Sequence, residues 1–153
     1  MNIIDEIEEQ YFELEKRYAA KLFIAIGDND EEMERFWNDK RDVNAHAYFL
    51  FLFTRLEDFI RNESVLLINN KIASSTNWKE KAIWEISDDE NLHFKKRLCL
   101  LTEKGKTDFN KISEYYNVRN EIAHGGTIVD FVRNMNMQFV FEDFKKFFIR
   151  LKS

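Results

Sequence analysis

The chain contains no proline and only four glycines in 153 residues. Proline removes a backbone donor and clashes with the preceding helical turn. Glycine costs about 1 kcal/mol relative to alanine inside a helix. A chain nearly free of both has few places where a helix must stop. Its 15 phenylalanines supply bulky core material. Together these features predict an all-α fold, a bundle of helices with short connections. A length of 153 residues points to one domain, spanning residues 1–153. A chain of that size buries roughly 68–70% of the surface its unfolded form exposes, so it needs no covalent staples.

Local signals divide the chain. Ile3, Ile7, Phe12, Leu14, Tyr18, Leu22 and Ile26 recur at helical spacing and predict a first helix over about 2–26. Gly27-Asp28-Asn29-Asp30 stops it and offers caps for a short helix at 31–37. A long helix follows at about 42–69, with Tyr48, Phe49, Leu52, Phe53, Leu56, Phe59, Ile60, Leu66 and Leu67 on one stripe. Asn69-Asn70 and the run Ser74-Ser75-Thr76-Asn77 break it. Shorter helices are expected at 78–86 and, from the cap-like Ser87–Glu90, to about Lys104. Thr107 is placed as the N-cap of a helix running to about His124, which Gly125-Gly126 terminates. The segment 127–140 reads as a loop with a short extended piece, before a last helix at 141–151.

Composition narrows the function classes. The net charge is −5, so a broadly basic nucleic-acid footprint is absent. Lys95-Lys96-Arg97 and Lys145-Lys146 are local basic clusters, read as solvated helix faces. The single cysteine, Cys99, cannot form an intramolecular disulfide, and its apolar neighbours predict a small buried hydrophobe. The first ten residues turn acidic at Asp5 and carry no signal-peptide pattern. The longest apolar run, Ala47–Phe53, is too short to cross a bilayer. A cytoplasmic protein without membrane contact is expected. His46, His93 and His124 lie far apart with no zinc spacing, and no glycine-rich phosphate loop occurs, so no metal or cofactor is expected.

Two charges fall where apolar residues belong. On a wheel of 100° per residue, Arg119 lies near the centre of an arc formed by Phe109, Ile112, Tyr115, Tyr116, Val118, Ile122 and Ala123. Asn120 and His124, four residues apart, share the edge of that arc. On the long helix Glu63 occupies the equivalent central position. Isolated buried charges are costly, so such residues pair or line a cleft. A structural Glu63–Arg119 ion pair and a catalytic cluster both satisfy that requirement. A histidine in a last turn is also favoured by the helix dipole alone. Tyr115 and Tyr116 are read as core aromatics, with stacking on exposed bases as the alternative.

The segment Arg119-Asn120-Glu121-Ile122-Ala123-His124 resembles the R-x(4–6)-H signature of the HEPN superfamily. Phe53–Asn62, FTRLEDFIRN, resembles the earlier long helix of such domains, which often carries an acidic residue. The resemblance implies an up-and-down helical bundle of HEPN type with short additional helices, spanning nearly the whole chain. It implies a metal-independent endoribonuclease, of the kind found in toxin–antitoxin, phage-defence and RNA-processing systems. It further implies a homodimer with the active site in the dimer cleft, and a possible partner such as a protein antitoxin or a small nucleotidyltransferase. Arg119, Asn120 and His124 are the catalytic candidates. The supporting acid is open: Glu57 matches the family pattern by position and Glu63 by its place on the stripe. Members that lack nuclease activity, acting as dimerisation or nucleotide-binding modules, are the alternative.

Overall fold

A computed structural model describes residues 3–87, 92–125 and 136–152. The described residues form six helices: α1 (Ile3–Gly27), α2 (Glu31–Ser74), α3 (Trp78–Ser87), α4 (Phe94–Leu101), α5 (Thr107–Ala123) and α6 (Met137–Arg150). No strand occurs among them. The all-α expectation therefore holds. None of these helices is long and apolar enough to cross a membrane.

The chain packs as two compact units. The first comprises Met1–Phe53 and Asn117–Lys145; the second comprises Thr54–Tyr116 and Lys146–Ser153.

In the first unit, α1 buries Ile4, Ile7, Tyr11, Leu22 and Ala25. These residues are spaced by three, four, eleven and three, and eleven is about three full turns, so the line stays on one face of the helix. The expected Phe12 and Ile26 lie off it, 39% and 52% exposed, and Tyr11 and Ala25 replace them. The turn to α2 closes with Asp30 N–H on the Ala25 carbonyl at 3.0 Å. Asp30 then caps α2, its carboxylate accepting the Met33 N–H at 3.1 Å. The unit's core is aromatic. Phe49 and Phe53 meet Phe144 at centroid distances of 6.4 and 6.2 Å, and Tyr11 meets Phe141 at 5.8 Å. Lys145, expected on a solvated face, instead bridges Glu8 at 2.6 Å and Asp5 at 2.8 Å. Those two bonds raise the pKa of its ammonium.

The expected break between helices at 37 and 42 does not occur, and α2 continues for 44 residues. Asn38 to Asp42 are polar, but polarity alone does not stop a helix, and the run holds no glycine or proline. Asn69-Asn70 do not end it either. It stops at Ser74, where the Ser75 hydroxyl donates to the Lys71 carbonyl at 2.7 Å.

In the second unit, α2 buries Leu56, Ile60, Ser64 and Ile68, while Leu66 is 51% exposed rather than core. Asn77 opens α3, its side-chain oxygen accepting the Lys79 N–H at 2.9 Å. The helix expected to run from Ser87 to Lys104 is shorter. Residues 88–91 lie outside the described residues, and α4 starts at Phe94 with His93 as its cap. Its buried side carries Arg97 and Leu98, which turns Cys99 outward; the cysteine is exposed, not core. Helix α5 begins at Thr107 itself. Helix α6 starts in the first unit, a turn before the expected Phe141, because Asn136 accepts the Gln138 N–H at 3.0 Å and caps it. The remainder of the expected loop, 127–135, lies outside the described residues.

Candidate active site

The end of α5 belongs to the first unit. The buried line of this helix runs through Ile112, Tyr115 and Val118. Arg119, seven residues after Ile112 and four after Tyr115, falls within that line on the helical wheel and is half-buried. Its Nη1 donates to Asn120 Oδ1 at 3.1 Å. Adjacent helical residues do not normally face each other. The long arginine side chain reaches round to its neighbour, and the bond fixes both. The guanidinium is charged, so this is a charge-assisted bond. It also sets the amide: with Oδ1 turned to Arg119, the Asn120 NH2 is the group presented elsewhere.

The helix then ends as its glycine requires. The His124 N–H donates to the Asn120 carbonyl at 3.0 Å, extending the helical ladder one residue past Ala123. Gly125 follows with φ of +70°. Its N–H donates to the Ile122 carbonyl at 3.1 Å. A left-handed residue at this position satisfies the last carbonyls, and glycine enters it without the Cβ penalty. His124 is thereby held on the final turn with its side chain exposed. Gly126 lies outside the described residues.

Three sequence candidates, Arg119, Asn120 and His124, therefore share six consecutive residues at one helix end. Glu57 and Glu63 are half-buried on α2 in the second unit. Among the described residues, no group of three or more His, Cys, Asp and Glu side chains is placed to hold a metal ion.

Two features were missed by sequence reading. Arg97 is 6% exposed, where its basic run predicts a solvated face. Its Nε donates to the Leu92 carbonyl at 3.0 Å and its Nη1 to the Ser64 hydroxyl at 3.1 Å. The Ser64 hydroxyl in turn donates to the Arg61 carbonyl at 2.8 Å. A buried serine on an apolar stripe was the available signal. The second feature is a cleft of about 380 Å³ in the first unit, lined in part by Tyr11, Glu15, Asn38, Arg41 and Asn136. Arg41 Nε donates to Glu15 at 2.6 Å beside it. Burial, with the Glu15 charge adding to it, pushes the Tyr11 phenol up to about 12. The α5 candidates do not line this cleft.

No family model, curated protein or solved structure matches the chain.

Proposed function

We propose that the protein is a metal-independent endoribonuclease of HEPN type, acting on RNA in a toxin-like or phage-defence role in the cytoplasm. The observation that carries this reading is the end of α5. There Arg119 and Asn120 are joined at 3.1 Å and the exposed His124 continues the same turn. The cluster supplies the groups that RNA cleavage requires when no metal takes part.

RNA carries its own nucleophile. The 2′-hydroxyl attacks the adjacent phosphorus, the 2′-O–P bond forms, and the P–O5′ bond breaks. The products are a 2′,3′-cyclic phosphate and a free 5′-hydroxyl. One proton must leave the 2′-oxygen and one must reach the departing 5′-oxygen. An imidazole exchanges protons near neutral pH, so His124 is the acid–base group. Arg119 binds the phosphate and stabilises the charge that grows on its oxygens. Asn120 donates to a phosphate oxygen from the amide face that Arg119 leaves outward. A single imidazole cannot take one proton and give the other at the same moment. A second copy of the chain brings a second imidazole, which is the chemical reason for a homodimer with its site in the cleft. Glu57 or Glu63 is the supporting acid in this reading. A protein antitoxin or a nucleotidyltransferase is the partner class that would hold such an activity in check.

The test is incubation of the wild type and His124→Ala with total RNA and a tRNA pool in EDTA, with mapping of new ends. Cleavage by the wild type alone, leaving cyclic phosphate ends, is expected. Cleavage by both proteins removes His124 from the mechanism. Silence from both favours the non-catalytic dimerisation or nucleotide-binding alternative.

A further inference from the structure

Two sequence features lie outside the proposed chemistry: the basic run Lys95-Lys96-Arg97 and the tyrosine pair Tyr115-Tyr116. Within the second unit the structure divides both in the same way. Arg97 and Tyr115 turn inward, 6% and 4% exposed. Lys96 is exposed, and Lys95 and Tyr116 are half-buried. The outward members meet. Lys95 Nζ stands over the Tyr116 ring, 5.7 Å from its centroid. Phe94 stacks on the same ring at 4.6 Å and 13°, and His93 meets it edge-on at 6.1 Å. The His93 ring is itself held, because its Nδ1 accepts the Lys95 N–H at 3.3 Å.

This cluster has the two properties that a single nucleic-acid strand selects. The exposed His93 and half-buried Phe94, packed on the Tyr116 ring, offer a surface on which bases stack, and ammonium groups meet the phosphates between them. The charge is also local. From Leu92 to Thr102 the chain has Lys95, Lys96, the buried Arg97 and no acidic residue, between Asp88-Asp89-Glu90 and Glu103. An acidic protein has little general attraction for RNA, so a patch of this kind would have to supply it.

We infer that His93, Phe94, Lys95, Lys96 and Tyr116 form a stacking platform for single-stranded RNA. This rests on the ribonuclease reading and narrows its substrate class to unpaired segments. A duplex keeps its bases stacked on each other and offers no free face to the rings, so it binds only through charge. The platform contributes binding and is not part of the proton transfers.

The test is fluorescence anisotropy with a labelled twelve-nucleotide single-stranded RNA of mixed sequence, and with its duplex. It is run in the His124→Ala background so that the probe stays intact. Tyr116→Leu is expected to weaken single-strand binding about tenfold. Tyr116→Phe keeps the ring and should bind as the parent does. Lys95→Ala/Lys96→Ala should lower the slope of log affinity against log salt by about 1.4, the value for two lost phosphate contacts on a single strand. Lys16→Ala/Lys21→Ala, on exposed positions of α1, is the charge-matched control and should change neither. Circular dichroism of each variant establishes that the fold is kept. Unchanged affinity and slope in the folded patch variants would overturn the platform, as would equal binding of strand and duplex. If the wild type also cleaves RNA, the platform alone is lost. If it neither binds nor cleaves, the ribonuclease reading falls with it.

Discussion

Arg97 and Arg119 occupy similar places in the sequence, each beside apolar residues on a helix, and the structure treats them differently. Arg97 is enclosed in the second unit and fixed by the Leu92 carbonyl and the Ser64 hydroxyl. Arg119 in the first unit is half-buried and bonded to the side chain next to it. The first arrangement spends the guanidinium on holding Leu92 and Ser64 in place, so Arg97 reads as a structural residue. The second holds a cation in a defined orientation at a helix end, beside an exposed histidine. An arginine on an apolar stripe is therefore not in itself a sign of catalysis; what distinguishes the two is burial.

That contrast can be broken most readily at Arg97. Arg97→Ala leaves the Ser64 hydroxyl and the Leu92 carbonyl without this donor, and should cost about 3 kcal/mol of stability in urea unfolding. A loss near zero would mean that the enclosed arginine is no more structural than Arg119. A buried polar group in the first unit gives the next effect. The unfolded Tyr11 phenol ionises at 10.0, whereas the native one holds its proton to about 12. The unfolded state therefore releases its proton first as pH rises. Stability from this group is whole below pH 10 and is lost as pH rises through 12, by roughly 2–3 kcal/mol. Tyr11→Phe should remove that component of the pH dependence. Gly125→Ala forces a side chain into a φ of +70° and should cost about 1 kcal/mol, fraying the turn that carries His124. The smallest change is expected from His124→Ala. An exposed side chain at a helix end contributes under about 0.5 kcal/mol, so thermal unfolding should barely move. A large loss there would make His124 a structural residue like Arg97.

Much of the fold was legible, and the failures have common causes. Scarcity of proline and glycine set the helical class, and Gly27–Asp30, Ser74–Asn77 and Gly125 marked real helix ends. The polar run at 38–42 suggests a break that does not occur, because it holds no glycine or proline. Cys99 and Leu66 were misplaced because their neighbours are apolar, while exposure depends on a 100° step that composition does not register. Burial of Arg97 depends on Ser64, 33 residues earlier, and no local pattern reveals such a pairing. The candidate site was legible for the opposite reason. Arg119, Asn120, His124 and Gly125 are close in sequence, and helical geometry alone brings them to one end of α5. The acidic partner was not, since Glu57 and Glu63 stand more than fifty residues away on α2.

The most direct test of the account is one protein measured twice, Arg119→Ala, for unfolding free energy and for RNA cleavage in EDTA. The account predicts stability within about 1 kcal/mol of the wild type. Cleavage should fall by 100-fold or more, on the order of magnitude expected when a preorganised cation facing the transition state is removed. A variant that unfolds would place Arg119 with Arg97 as a structural residue, and a folded variant with full cleavage would leave the end of α5 without its proposed role.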